Sequence, residues 1–240
     1  MRKRIIIPAL LMSVFILSCD SFNSVVPVED VSIRQKEFSD YQRIDAESAF
    51  TVYINFSDNE EKIEIEANDN LHQYIEVDNV GGTLKIRIRN NTNIKGSATL
   101  NAFITTRHVT GFSASGASRF ILNDLLIAEN ADIFLSGASS FTGELEAINL
   151  SSSLSGASTL NLAGSCESFD IGASGASSIF NFSFSCDHLD SKLSGASNAS
   201  LTVNKSLAVT ASGASLVRYK GQGKVCYSNL SGESKIVKME

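Results

Sequence analysis

Ser115-Gly116-Ala117-Ser118 is the stretch whose reading decides the fold. The same four residues return at Ser136–Ser139, Ser155–Ser158, Ser174–Ser177, Ser194–Ser197 and Ser212–Ser215, and a seventh copy, Ser231–Ser234, reads Ser-Gly-Glu-Ser. Successive copies begin 21, 19, 19, 20, 18 and 19 residues apart. A repeat this tight, with no helical periodicity between copies, marks a solenoid of short strands.

Aligning the chain on the first Ser of each copy exposes an interior. The residue just before each copy is Ala114, Leu135, Leu154, Ala173, Leu193, Ala211 or Leu230. Five positions after the first Ser stand Phe120, Phe141, Leu160, Ile179, Ala199, Val217 and Ile236. Five positions before it stand Thr110, Ala131, Leu150, Phe169, Leu189, Leu207 and Cys226. Between these columns Ser, Thr, Asn and charge prevail, so the same slots of each coil point inward. The pattern predicts an all-β chain, a parallel β-helix with about 19 residues per coil and coils stacked about 4.8 Å apart. An interval drifting between 18 and 21 does not keep the strict hexapeptide period of a left-handed form, and the right-handed β-helix is expected.

The repeat itself reads as a corner. Gly116, Gly137, Gly156, Gly175, Gly195, Gly213 and Gly232 supply a residue that takes positive φ without steric cost. The Ala in the third slot is expected to put a small methyl inside the corner. The two Ser hydroxyls are expected to bond turn backbone or the same Ser one coil away. By this reading Glu233 breaks an inward column, and with Lys235, Lys238 and Glu240 makes a polar end-cap.

Upstream, residues 36–110 alternate like strands before the regular coils of 111–240. Phe50–Phe56, Lys62–Glu66, Tyr74–Val77, Leu84–Arg89 and Thr99–Thr105 are the runs, with Gly81-Gly82 a turn signal, Asp69–Gln73 a helical turn and Asn90–Gly96 a polar loop. Their higher charge predicts a more exposed sheet or irregular first coils, a more irregular β-sheet region than the coils that follow. No Pro occurs after Pro27, which suits long strand ladders.

The first residues read as a targeting segment. Arg2, Lys3 and Arg4 precede the apolar run Ile5–Leu17, and Ile16-Leu17-Ser18-Cys19 closes it. That ending resembles the lipobox of bacterial lipoproteins, which makes residues 1–18 a lipoprotein signal peptide, Cys19 the lipidation site and residues 19–35 a tether. Loss of the three basic residues takes the formal charge from −6 to −9. An acidic chain argues against nucleic acid as a partner and leaves the lipid as the means of membrane attachment.

Chemistry-bearing residues are few. Glu167, Asp170, Asp187 and Asp190 fall on neighbouring coils and form a weak candidate face for a metal or ligand. Such carboxylates bind Ca2+ or serve a polysaccharide lyase or hydrolase, although a solvated acidic face is the ordinary reading and no cofactor is expected. No Arg or Lys stands between Arg119 and Lys192, which disfavours lyase chemistry. Cys166 and Cys186 share a column on successive coils, at a separation that permits a disulfide although parallel Cβ vectors are not ideal for one. Cys226 reads as a core residue. His72, His108 and His188 share no column and make no catalytic or metal grouping.

The serial Ser-Gly-Ala-Ser, preceded by strands and by Gly81-Gly82-Thr83-Leu84-Lys85-Ile86, resembles the head GIN domain family of putative auto-transporter adhesins from Phe38 to about Val237. The resemblance implies an exported or lipid-anchored β-helix and carries over no catalytic residue. The expectation is therefore a non-enzymatic, lipid-anchored protein of a Gram-negative-type envelope, at the outer membrane or cell surface. Its domain, residues 36–240, would bind glycan or host matrix as an adhesin. The alternatives are a polysaccharide-degrading enzyme using Asp170 and Asp190, and a structural envelope spacer. Strand edges of the N-terminal sheet are the expected route to a homo-oligomer.

Overall fold

The computed structural model describes residues 23–240. Cys19 and the signal segment 1–18 lie outside the described residues. The strands run in chain order as β1 (Asn23–Val25), β2 (Val31–Lys36), β3 (Arg43–Ala46), β4 (Thr51–Phe56), β5 (Lys62–Asn68), β6 (Ile75–Val80), β7 (Thr83–Ile88), β8 (Thr92–Ile94) and β9 (Leu100–Thr106). The coils follow with β10 (Gly111–Ala114), β11 (Arg119–Leu122), β12 (Leu126–Leu135), β13 (Ser140–Leu154), β14 (Thr159–Ala173), β15 (Ser178–Leu193), β16 (Asn198–Ala211), β17 (Leu216–Lys220), β18 (Lys224–Leu230) and β19 (Lys235–Lys238). Every pairing from β10 onward is parallel, with the register broken only at bulges in the β14–β15, β15–β16 and β16–β18 pairings, and the right-handed parallel β-helix expected from the repeat is the fold found.

The three apolar columns form the core. Phe120, Phe141, Leu160 and Ile179 are stacked and buried, as are Leu135, Leu154, Leu150 and Phe169. Phe112 meets Phe120 and Phe141 edge-on, at centroid distances of 5.6 and 5.1 Å. Such pairs contribute about 0.5–1.5 kcal/mol beyond the area they bury. Each coil has three walls. The first follows the Ser-Gly-Ala-Ser corner, and the third runs into the next copy. The short second wall is set off from the third where two successive residues face outward, as at Ile148-Asn149 and Glu167-Ser168.

The corner differs from the expectation in its direction. The third-slot Ala residues face solvent, and the buried residue is the fourth-slot Ser: Ser118, Ser139, Ser158, Ser177, Ser197 and Ser215. Five of these hydroxyls turn back to the carbonyl of the first Ser in their own copy, as Ser139 Oγ does to Ser136 O at 2.7 Å. The third-slot N–H instead donates across coils. Ala157 N reaches Gly137 O at 2.7 Å, and Ala176, Ala196, Ala214 and Glu233 repeat the bond to the glycine one coil back. Glu233 thus occupies an outward slot and displaces nothing from the core. Cys226 is exposed rather than buried, because all of Lys224–Leu230 lies in the last coil with no further coil to cover it, and a register shift between Leu207 and Ala208 also takes Cys226 out of the Leu207 column.

The N-terminal strands are less separate than their charge suggests. β3 and β4 pair in parallel with β10 and β11, and β7 and β9 extend the same ladders. Ile44, Phe50, Val52, Ile54, Ile63 and Ile65 join one continuous core, so the charges occupy only the outward half of each alternation. Of the two expectations for this region, the irregular first coils are found and the more exposed sheet is not. This region also supplies a corner without the motif. Glu47-Ser48-Ala49-Phe50 turns with positive φ at Ser48 and Ala49, and Phe50 fills the slot that Ser takes in the coils. The tether is shorter than expected, since β2 pairs antiparallel with β5 and β1 pairs with β8 inside the expected polar loop. Asp69–Tyr74 forms the anticipated helical turn as a 3-10 helix, and Gly81-Gly82 closes the β6–β7 hairpin.

A Cβ at Gly175 would lie 2.4 Å from Gly156 O, at a φ of +76°. Gly175→Ala is therefore expected to cost at least about 2 kcal/mol in chemical denaturation, whereas outward Ala176→Ser stays within about 0.5 kcal/mol. A larger loss at Ala176 than at Gly175 would contradict the corner described here.

Candidate functional site

The second wall has two inward columns, one of small residues, Ala128, Ala147, Cys166 and Cys186, and beside it the larger Leu126, Leu145 and Phe184. Above it runs an open groove of about 490 Å³. One bank is the in-register row Ile127, Glu146, Ser165 and Ser185. The opposite bank is Ile148, Glu167, Asp187 and Asn204, with Ala128, Ala147 and Cys166 as the floor. The groove crosses five coils, about 19 Å at the strand spacing. Two large apolar side chains stand unusually free on its banks, Ile127 at 68% exposure and Ile148 at 44%.

The acidic face expected from the sequence divides over two surfaces. Glu167 and Asp187 line the groove, while Asp170 and Asp190 stack on each other on the third wall, outside it. Asp187 is held by Lys205 Nζ at 2.8 Å, and that hydrogen bond lowers its pKa below the ordinary carboxylate value. Among the described residues no three His, Cys, Asp or Glu side chains gather as a metal site. Glu146 and Glu167 form no ion pair among the described residues, which leaves the groove acidic.

Cys166 and Cys186 are register partners, as their spacing predicts, and both are buried free thiols; the disulfide is not formed. In-register parallel strands hold the two sulfurs side by side rather than aiming one at the other. The neighbouring Cys186 thiol, and then burial, push the Cys166 pKa far above the usual thiol range. The histidines remain apart. His72 Nε2 lies 3.1 Å from Ser32 O, and His188 Nδ1 lies 2.8 Å from Ser206 Oγ. His108 borders a second recess of about 510 Å³ beside Gly81-Gly82. The cations of that recess are engaged: Arg43 pairs with Asp132 at 3.2 Å, and Arg107 donates to Asp58 O at 3.0 Å.

Ile127, Glu146 and Ile148 were not singled out by sequence reasoning. The signal was nonetheless present, since the same alignment places Ile127, Glu146, Ser165 and Ser185 nine positions before successive copies, directly beside the small column.

Residues 40–223 match the family model described as putative auto-transporter adhesin, head GIN domain. The chain belongs to this family. Solved structures share the fold of this head GIN domain. A putative adhesin from Parabacteroides merdae is 21% identical with a TM-score of 0.73, over 91% of this chain and all of its own. A putative adhesin from Bacteroides fragilis is 19% identical with a TM-score of 0.77, over 89% of this chain and 97% of its own. A putative lipid binding protein from Parabacteroides distasonis is 18% identical with a TM-score of 0.73, over 91% of this chain and all of its own. No match was found among the curated proteins.

Removing the Lys205 charge tests the electrostatics of the groove. In Lys205→Ala the Asp187 pKa rises toward its ordinary 3.8, read by NMR titration of the carboxyl carbon. A folded pKa held low favours the native state above the unfolded value, and that contribution fades as pH falls through the folded pKa. The variant should therefore lose this acid-side dependence. An unchanged Asp187 titration would refute the pairing.

Proposed function

We propose that this head GIN domain is the binding module of an exported, lipid-anchored surface protein and that it adheres to an extended, uncharged glycan laid along the second-wall groove. The observation that carries the reading is the groove itself. It is open at the sides, crosses five coils and pairs hydrogen-bonding groups with two bared isoleucines. Sugar rings have apolar faces and hydroxyl rims, and a trough with both kinds of group complements them. Glu146, Glu167 and Asn204 accept or donate to hydroxyls, while Ile127 and Ile148 pack on the ring faces. Unpaired carboxylates repel sulfated or uronic polymers, so a neutral chain is favoured.

The descriptions of the Parabacteroides merdae and Bacteroides fragilis proteins as putative adhesins support adhesion. The description of the Parabacteroides distasonis protein points to lipid as a second ligand class. A groove open to water and banked by Glu146 and Glu167 suits an acyl chain poorly. The enzyme alternative asks Asp170 and Asp190 to flank a bond, and they lie on a flat wall outside the groove. Anchoring would follow from acylation of Cys19, and incorporation of labelled palmitate that disappears in Cys19→Ser is its test.

Binding is tested with a panel of neutral and acidic glycans. The expected result is binding of a neutral oligosaccharide, weakened about 10-fold or more by Ile148→Asp and by Glu167→Lys and unchanged by Asp170→Asn. Preference for acidic glycans, or equal loss with Asp170→Asn, would reject the groove.

A further inference from the structure

We propose that Cys166 and Cys186 form a two-sulfur site for a soft, linearly coordinated cation such as copper(I). The two residues are Cα partners on adjacent parallel strands, at 6% and 0% exposure, and both are free thiols. In-register side chains of one column repeat at the strand spacing, about 4.8 Å. A disulfide needs its sulfurs about 2.05 Å apart, less than half that distance. Two metal–sulfur bonds of about 2.3 Å placed end to end span about 4.6 Å. The geometry that leaves the pair unbridged is therefore close to the geometry of a sulfur–metal–sulfur unit.

The surroundings select for the kind of ion. Ala147 precedes Cys166 in the column and Val203 follows Cys186, so no further ligand stands in line with the pair. Among the described residues no third metal-binding side chain joins them. Zinc fills a shell of four ligands, whereas soft monovalent copper accepts thiolates alone. Cys166 forms part of the groove floor, which supplies the entry path. Binding is balanced as one copper(I) and two thiols giving one bis-thiolate complex and two protons, with no change of oxidation state. Occupancy does not depend on which ligand the groove takes.

The chain holds 4 cysteines, so the test uses the full chain carrying Cys19→Ser and Cys226→Ser, which leaves only this pair. It is titrated without oxygen with copper(I) against a chromophoric copper(I) chelator. One copper(I) per chain is expected, with an X-ray absorption spectrum of two sulfur neighbours and no nitrogen. Cys166→Ala and Cys186→Ala should each weaken binding by on the order of 100-fold. Ala147 already occupies this column, so either alanine fits the wall, and far-ultraviolet circular dichroism checks the fold. Absence of binding, retention in both alanine variants, a nitrogen-containing shell, or loss of both thiols to a disulfide in the untreated protein would each overturn the site.

Discussion

At each regular corner two backbones come closer than any side chain would allow. The carbonyl of one coil's glycine accepts the third-slot N–H of the next coil at 2.7 Å, and a Cβ on the next glycine would meet that same oxygen at 2.4 Å. The ladder of backbone bonds thus continues through the turn instead of breaking there, and the register is held around the coil. A side chain in the second slot would both oppose the positive φ and part the coils. The fourth-slot Ser then points inward with its hydroxyl satisfied by its own turn, which keeps a polar column inside an apolar rod. The first copy shows the rule by departing from it. There Ser118 N donates to the Ser115 carbonyl, and the Ser118 hydroxyl has no partner among the described residues.

The sequence resolved what the repeat multiplies. A column seen seven times carries its own evidence, which is why the apolar stacks and the pairing of Cys166 with Cys186 could be read directly. Direction inside the turn was not legible, because alternation loses its phase where φ changes sign. Ala and Ser were therefore exchanged between inside and outside. Glu47-Ser48-Ala49-Phe50 escaped notice because it makes the same corner with non-glycine residues at positive φ, held by the coil stacked on it. β1 and β2 escaped because their partners, β8 and β5, lie far along the chain. Cys226 was misplaced because a column counted from the corner is inward only while another coil covers it, and the last coil is uncovered.

The groove follows from the same counting, one step removed. Along the column of Ala, Ala, Cys and Cys the backbone carries little bulk, and the residues flanking it stand as banks above a low floor. Neither bank touches the corner hydrogen bonds. The surface is thus free to vary without cost to the scaffold.

In-register stacking also decides which side chains the outer walls tolerate. Each outward residue faces its counterpart at about 4.8 Å, a distance at which like charges oppose one another and amides pair. Asn55 with Asn123, Asn130 with Asn149 and Asn161 with Asn181 take the favourable course, with hydrogen bonds of 3.0–3.2 Å. Asp170 beside Asp190 takes the unfavourable one. Glu146 avoids it, since its register neighbours are Ile127 and Ser165. Asp187 avoids it differently, by turning to Lys205. Carboxylates on the groove banks are therefore compatible with the stack without being required by it. The stack would equally accept Ser or Asn at these positions, so the bank carboxylates set the charge of the groove rather than the stability of the scaffold.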